Sequence, residues 1–181
     1  MARAILQRAE GLTLATVSQF RTLRGLGVSG EVDGIPLLLG NNRLLEEQSI
    51  DTRELQSLMQ QQAESGLVVA KALKQHPAVA RVLHPEFPEC PGHAFYKRDF
   101  NGFASIFSIV LKAQYSDEQA CAIIDQLKLF KIAYSWGGPE SLGLVVNIPD
   151  SRRRHLADEH GRCGPILRLA IGLEEPADLI A

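Results

Sequence analysis

A long helical pattern in residues 51–75 constrains the fold of this chain most, because it crosses a change in sequence character at Gly66. Asp51 is predicted to be the N-cap of this helix, with Glu54, three residues later, completing a capping box. A glycine inside a helix costs about 1 kcal/mol relative to alanine, so Gly66 marks a bend without forbidding a continuous helix. We predict one long or kinked helix whose inner face carries Leu55, Leu58, Met59 and Gln62.

The residues before this helix predict a β-hairpin. Residues 28–32 and 35–39 favour strands, and they flank Asp33-Gly34. This dipeptide suits a two-residue turn, because both central residues of such a turn need positive φ. Residues 2–9 have the pattern of the end of a helix, and a short helix is predicted at residues 43–48.

The residues after Gly66 alternate between strand and helix patterns. Strands are predicted at residues 79–83, 105–111, 142–148 and 166–171. A helix is predicted at residues 116–128, where Ser116 is an N-cap followed by an acidic first turn. Both parts of the chain therefore mix helices with strands, and the predicted fold class is α/β of the α+β type.

A GxGxxG spacing occurs at Gly25, Gly27 and Gly30. In a dinucleotide-binding fold this motif follows a buried strand and opens a helix. Here polar residues precede the motif and the predicted hairpin follows it, so the sequence argues against that fold. The structural interpretation of the glycines is that they permit tight backbone geometry at the start of a twisted strand.

The residues around these glycines resemble a known family. Three blocks carry the resemblance, namely residues 2–6 (ARAIL), 20–31 (FRTLRGLGVSGE) and 37–41 (LLLGN). In order and spacing they are similar to the nucleotide-binding domain of copper-exporting P-type ATPases, over residues 2–65. In that family the glycines that match Gly25 and Gly27 let the backbone approach the adenine nucleotide, so the resemblance implies weak nucleotide binding there. The family's His-Pro would fall before Met1, and its aspartyl-phosphate motif and membrane helices have no match in this sequence.

Four later blocks resemble a different family. They are residues 76–82 (HPAVARV), 91–100 (PGHAFYKRDF), 133–138 (AYSWGG) and 167–174 (LRLAIGLE). Together they resemble the C-terminal domain of cystathionine lyases that depend on pyridoxal phosphate (PLP), and the YSWGG block is most similar to the β-lyase branch. The resemblance implies the small domain of a PLP-dependent transferase-like fold, a mostly antiparallel sheet with helices. The chain is thus interpreted as two segments, residues 1–66 and residues 67–181.

The second resemblance implies a site for a sulfur-containing amino acid. Arg168 would bind the α-carboxylate of this substrate through its planar guanidinium, together with Ser135, and Trp136 would lie beside them. The alternatives are that Arg168 pairs with a surface acid and that Trp136 belongs to the core. In the family, the lysine that carries PLP belongs to a large N-terminal domain that this sequence does not match. We therefore expect PLP by resemblance only, no catalytic residue in this chain, and no lyase activity without a complementing domain.

Composition argues against several other classes of protein. The net charge of -2 argues against general nucleic-acid binding, and no apolar run approaches the roughly 18–20 residues of a membrane span. The widely spaced Cys90, Cys121 and Cys163 indicate neither a disulfide framework nor a zinc knuckle, which favours a reducing, cytoplasmic location. His155, His160 and Cys163 offer only three metal ligands at a spacing that matches no closed site, so no metal is expected.

Three functional hypotheses are therefore compared. The first is a fragment of cystathionine β-lyase, a carbon–sulfur lyase of methionine biosynthesis and transsulfuration, that supplies the substrate-carboxylate clamp. The second is a non-enzymatic chimera whose two segments pack together. The third is a weak ATP-binding remnant of a copper-transporting ATPase. Self-association is left open.

Overall fold

The computed structural model describes residues 11–13 and 15–181, so the helix predicted at residues 2–9 lies outside the described residues. The chain divides into two compact units, Met1–Glu54 and Leu55–Ala181. The segment boundary predicted at residue 66 falls inside a helix of the second unit. Within the described residues, no helix combines the length and the apolar character that crossing a bilayer requires.

The first unit contains a three-stranded antiparallel sheet with the order β1-β2-β3. Its strands are β1 (Val17–Leu23), β2 (Gly27–Val32) and β3 (Ile35–Gly40). The predicted hairpin is confirmed, because Asp33 and Gly34 join β2 to β3 with φ angles of 52° and 79°. Helix α1 (Asn42–Glu47) follows, and the side chain of Asn41 caps it by accepting a hydrogen bond from the Leu44 backbone N–H.

Of the glycines in the GxGxxG spacing, Gly25 lies in the turn between β1 and β2, whereas Gly27 and Gly30 belong to β2. Gly25 has a φ of +74°, and its carbonyl accepts a 3.0 Å hydrogen bond from the side-chain amide of Asn41. At Gly27, a Cβ atom would lie 2.2 Å from the carbonyl oxygen of Leu39, so a larger residue cannot fit without movement of the backbone. The motif continues into strand β2 and not into a helix, which confirms that it does not open a dinucleotide-binding helix.

The second unit is built around a five-stranded sheet with the order β4-β5-β8-β7-β6. Its strands are β4 (Val79–Leu83), β5 (Ile106–Leu111), β6 (Lys131–Ile132), β7 (Leu142–Val145) and β8 (Ile166–Ala170). The helices are α2 (Arg53–Lys74), α3 (His93–Asp99), α4 (Asp117–Gln126), α5 (Asp150–Arg153) and α6 (Pro176–Ile180), with a 3-10 turn at Arg154–Leu156. All neighbouring strands are antiparallel except β6 and β7, so the predicted α/β class with a mostly antiparallel sheet is confirmed.

One face of this sheet forms the hydrophobic core. Because side chains alternate between faces along a strand, every second residue of β5 and β8 is directed to the same side. The core residues from these two strands are Phe107, Ile109, Leu111, Leu167 and Leu169. They pack with Val69 and Ala70 of α2 and with Ala120 and Ile124 of α4. Arg168 and its β5 partner Ser108 therefore belong to the opposite face.

Helix α2 differs from the prediction in which face it buries. Of the predicted inner face, Gln62 is buried as expected and Leu58 is half-buried, whereas Leu55 and Met59 are exposed. The buried stripe consists of Gln62, Ala63, Ser65, Gly66, Val69 and Ala70. The helix continues through Gly66, where a Cβ atom would lie 3.0 Å from Cα and 3.2 Å from the carbonyl oxygen of Ser105. Gly66 therefore permits close packing against backbone, and the bend predicted from its helix propensity is not needed to explain it.

Candidate substrate-carboxylate site

Arg168 lies near the middle of the second sheet. It is the central residue of β8, where it pairs with Ser108 of β5 and Leu144 of β7. The side chain is half-buried although its neighbours on β8 are buried. Because the strand that carries Arg168 is hydrogen-bonded on both sides, its backbone is rigid, and this favours recognition of a planar anion by the guanidinium.

Residues 133–138, called here the clamp loop, surround the Arg168 guanidinium. One guanidinium nitrogen, Nη2, donates to the carbonyl oxygen of Tyr134 at 2.7 Å, with longer contacts of 3.4 Å to the carbonyls of Ala133 and Ser135. The guanidinium carbon lies 5.5 Å from the centre of the Trp136 ring, a distance typical of a cation–π contact. The structure thus brings together the three residues that the lyase resemblance named, Arg168, Ser135 and Trp136.

The contacts of Arg168 leave two of its nitrogen atoms for a ligand. In the part of the chain that the structure describes, no carboxylate forms an ion pair with Arg168, and Nε and Nη1 have no hydrogen-bond acceptor. The alternative of a surface ion pair is therefore not observed. Trp136 is 62% exposed, so the alternative that it is a core residue is wrong.

Ser135 contributes to this arrangement through its backbone. It is exposed, and its carbonyl oxygen contacts Arg168. Its hydroxyl forms no hydrogen bond with any described residue. The predicted role of the Ser135 side chain on the substrate carboxylate stays a prediction.

Two further contacts hold the clamp loop at its C-terminal end. The side-chain amide of Gln62, on α2, donates a 2.6 Å hydrogen bond to the carbonyl oxygen of Gly138. Directly after the loop, the carbonyl of Pro139 accepts a 2.8 Å hydrogen bond from the backbone N–H of Leu173. Sequence reasoning placed Gln62 on the inner face of its helix but did not predict this partner, because 76 residues separate Gln62 from Gly138.

A cleft of about 1170 Å³ adjoins the clamp loop. Aromatic and aliphatic side chains line most of it, including Met59, Tyr96, Phe100, Phe103, Ile106 and Trp136. Its polar lining includes Gln62, Glu64 and Asn101. An apolar cleft with a few polar groups is the usual form of a small-molecule site, and this one has Trp136 at its border with the arginine site.

A hydrogen-bonded group at the edge of this cleft was not predicted. The Tyr96 hydroxyl donates to a carboxylate oxygen of Glu86, and Lys97 pairs with the same carboxylate at 3.1 Å. These contacts lower the pKa of Glu86, with the Tyr96 hydrogen bond as the main cause. The same hydrogen bond raises the pKa of Tyr96 to about 12, so this phenol stays protonated at neutral pH. Tyr96 can therefore act there as a hydrogen-bond donor and not as a base.

His84 is fully buried among the rings of Phe87, Phe103 and Phe107. Its Nδ1 atom accepts a 3.2 Å hydrogen bond from the backbone N–H of Glu86, which leaves the ring proton on Nε2. Nε2 has no hydrogen-bond partner within the described chain. Burial lowers the pKa of His84, although the charge of Glu86 opposes this shift. His84 is therefore neutral near pH 7 and contributes to packing.

A family model described as Cys/Met metabolism PLP-dependent enzyme matches residues 48–181 of this chain. The chain belongs to that family. Cystathionine beta-lyase MetC of Escherichia coli (strain K12) is 44% identical over 140 residues, which cover 73% of this chain and 34% of that protein. Cystathionine beta-lyase of Salmonella typhimurium is 43% identical over 130 residues, which cover 71% of this chain and 33% of that protein.

A solved structure of a cystathionine gamma synthase from Xanthomonas oryzae pv. oryzae supports the same PLP-dependent fold. It superposes with a TM-score of 0.55 and 29% sequence identity, over 71% of this chain and 33% of that chain. This member of the PLP-dependent family thus spans about one third of the length of the relatives that it matches. The lyase resemblance of the C-terminal segment is confirmed at the level of the family.

The lysines of this chain do not fit covalent attachment of PLP. A lysine that reacts with a carbonyl cofactor needs a desolvated or cationic environment that lowers its pKa. Every lysine of the chain is exposed, namely Lys71, Lys74, Lys97, Lys112, Lys128 and Lys131. None of these lysines therefore has, in this structure, the desolvated environment that such a reaction needs.

The other predicted sites lie elsewhere. Gly25 and Gly27 belong to the first compact unit, and their nucleotide-binding role, like the resemblance of residues 2–65 to copper-exporting ATPases, stays a prediction. Among the residues that the structure describes, no group of three or more His, Cys, Asp or Glu side chains is placed to hold a metal ion.

Proposed function

We propose that residues 67–181 are the C-terminal domain of a PLP-dependent cystathionine β-lyase and bind the α-carboxylate of a sulfur-containing amino acid through Arg168. The observation that carries this proposal is the set of contacts made by the Arg168 guanidinium. Backbone carbonyls and the Trp136 ring hold one side of it, while Nε and Nη1 have no protein acceptor among the described residues. The parallel N–H pairs of a guanidinium are Nε with Nη2 and Nη1 with Nη2. A carboxylate that accepts two hydrogen bonds here would therefore use Nε or Nη1 together with the N–H of Nη2 that does not point at the Tyr134 carbonyl.

The surroundings of Arg168 fit an anion more than a neutral ligand. No acidic side chain of the described chain neutralises the guanidinium, so a bound carboxylate would not compete with an internal partner. The clamp loop already fixes the orientation of the guanidinium plane through Nη2. Such preorganisation reduces the side-chain entropy that is lost when the ligand binds.

The choice of a sulfur-containing substrate rests on the relatives. The two relatives described above, each more than 40% identical, are named cystathionine beta-lyases, and the family model describes enzymes of Cys/Met metabolism. In such an enzyme the bound PLP supplies the chemistry that breaks the carbon–sulfur bond, while Arg168 orients the substrate. We propose that this chain alone does not turn over cystathionine, because each of its lysines is exposed and unsuited to hold PLP.

The proposal is tested by titrating the protein with S-methyl-L-cysteine and, in parallel, with its methyl ester, which lacks the carboxylate. Trp136 is the single tryptophan of the chain, so its indole N–H gives one NMR cross-peak next to Arg168. We expect the free acid to move this cross-peak and the ester to leave it in place. Arg168→Lys should weaken binding at least about tenfold, because hydrogen bonds to charged groups contribute about 1.5–3 kcal/mol and lysine lacks the planar fork.

Arg162→Lys is the matched control, because Arg162 is an exposed arginine that pairs with Asp158. Its affinity should equal that of the unmodified protein. Equal affinities for acid and ester, or an unchanged affinity in Arg168→Lys, would reject Arg168 as the carboxylate ligand. Incubation with PLP and cystathionine should give no turnover by the chain alone, and measurable turnover would reject the proposal that its lysines are unsuited to PLP.

A further inference from the structure

The hydrogen bond between Gln62 and Gly138 is a long-range polar contact at the edge of the carboxylate site. Gln62 is only 8% exposed, and its amide nitrogen lies 2.6 Å from the Gly138 carbonyl oxygen. The acceptor is a carbonyl, so the amide must present its NH₂ group to it, and this decides the orientation of the side chain. A buried amide is costly to leave without a partner, so this contact favours one position of the loop relative to α2.

Apolar burial contributes little to the position of the clamp loop. Its two largest side chains, Tyr134 and Trp136, are 85% and 62% exposed. Gly137 has a φ of +76°, a conformation that glycine adopts without strain, and Gly138 adds further backbone freedom. A loop with exposed side chains and two glycines samples many conformations unless polar contacts restrict it.

The polar contacts of the loop lie at its two ends. Arg168 holds the carbonyls of residues 133–135, and Gln62 holds the carbonyl of Gly138. Trp136 lies between these two attachment points and contacts the Arg168 guanidinium through its ring. Without the Gln62 hydrogen bond, the chain is still held directly after the loop, where Pro139 accepts from the Leu173 N–H, but Gly137 and Gly138 lose their contact with α2 and Trp136 can leave the guanidinium.

We infer that Gln62 is a positioning residue of the carboxylate site, which acts from helix α2 by holding the clamp loop so that Trp136 stays over Arg168. This inference deepens the proposed function and rests on it for its consequence in ligand binding. The position of the loop is measured without a ligand, so that part of the inference is independent of the proposed function. Gln62 contacts the loop backbone and is not a catalytic residue.

The test uses Gln62→Met, which has a similar volume and no hydrogen-bond donor, with Gln61→Met as the matched control. Gln61 is an exposed neighbour on the same helix. In the ligand-free protein, we expect Gln62→Met to shift and broaden the Trp136 indole cross-peak, because loss of the hydrogen bond raises the population of the released loop about fivefold. Gln61→Met should leave the cross-peak unchanged. Far-UV circular dichroism should show folded protein in both variants.

Gln62→Glu adds a pH-dependent measurement whose result would not change if Gln62 only stabilised the fold. An ionised carboxylate at this place cannot donate to the Gly138 carbonyl, whereas a protonated one can, and burial raises the pKa of such a carboxyl. The indole cross-peak of Gln62→Glu should therefore be displaced at neutral pH and return towards the wild-type position as the pH is lowered. The wild-type cross-peak, recorded over the same pH range, provides the reference.

The outcomes separate this inference from the proposed function. If the cross-peak of folded Gln62→Met or Gln62→Glu coincides with that of the wild type at every pH, Gln62 does not position the loop. An equal displacement in Gln61→Met would also overturn the inference. If Gln62→Met unfolds, acid recovery of the Gln62→Glu cross-peak supports the inference and its absence opposes it. Displacement in the Gln62 variants, together with unchanged ligand affinity in Arg168→Lys, would keep Gln62 as a loop anchor while rejecting the carboxylate site.

Discussion

Replacing Gly66 by alanine in helix α2 has two opposing effects on stability, a gain in helix propensity and a steric overlap with Ser105. Alanine has the higher helix propensity, which alone would stabilise the second unit by about 1 kcal/mol. The added Cβ, however, would lie 3.0 Å from Cα, 3.2 Å from the carbonyl oxygen and 3.4 Å from the carbonyl carbon of Ser105. These are backbone atoms at the entry to β5, so they cannot move aside as the end of a flexible side chain would.

The balance of these energies favours destabilisation. Overpacking a filled interior costs about 1–3 kcal/mol, which exceeds the gain from helix propensity. We therefore expect Gly66→Ala to lower the free energy of unfolding of the second unit by about 1 kcal/mol. Gly66→Val should lower it further, because its additional methyl groups meet the same backbone and β-branching disfavours the helix.

Denaturant unfolding followed by Trp136 fluorescence measures this effect, because the only tryptophan lies in the second unit. Ser57→Ala is the control, since Ser57 is an exposed residue of the same helix and its replacement should raise stability by only about 0.5 kcal/mol. An increase of about 1 kcal/mol in Gly66→Ala would refute the packing argument, because it would show that helix propensity alone governs this position.

Two other perturbations follow from buried polar groups. Burial holds the pKa of His84 below its ordinary value of 6.5, so at mildly acidic pH the unfolded chain binds more protons than the folded chain. The contribution of His84 to the free energy of unfolding should therefore be complete above pH 6.5 and decrease as the pH is lowered towards the folded-state pKa. Denaturant midpoints between pH 5 and 8 should show this slope, His84→Phe should remove it and the control His155→Gln should keep it. The buried Ser141 donates to Glu174 at 2.8 Å, so Ser141→Ala should cost about 1–3 kcal/mol in thermal or denaturant unfolding, and a loss as small as that of exposed Ser151→Ala would contradict this role.

Local signals in the sequence predicted the elements that depend on neighbouring residues. The turn at Asp33-Gly34 and the cap at Ser116 involve residues within a few positions of each other, and both are present. Helix α3 was missed because Gly92, in the left-handed conformation, occupies its N-cap and no side chain caps it. The inner face of α2 was predicted to carry Leu55, Leu58, Met59 and Gln62, but only Gln62 of these is buried, because most of the buried stripe consists of small residues and lies further along the helix.

The sequence by itself determined the turn at Asp33-Gly34, the cap at Ser116, the family to which residues 48–181 belong, and Arg168, Ser135 and Trp136 as candidate site residues. Only the tertiary structure decided that Arg168 contacts the carbonyls of Tyr134 and Ser135, that Gln62 holds the Gly138 carbonyl, and that Gly66 packs against Ser105. The physical reason is the sequence separation between the residues that interact. Turns and caps are set by interactions within one or two turns of chain, whereas these three contacts join residues 33 to 76 positions apart, whose proximity depends on how the helices pack on the sheet.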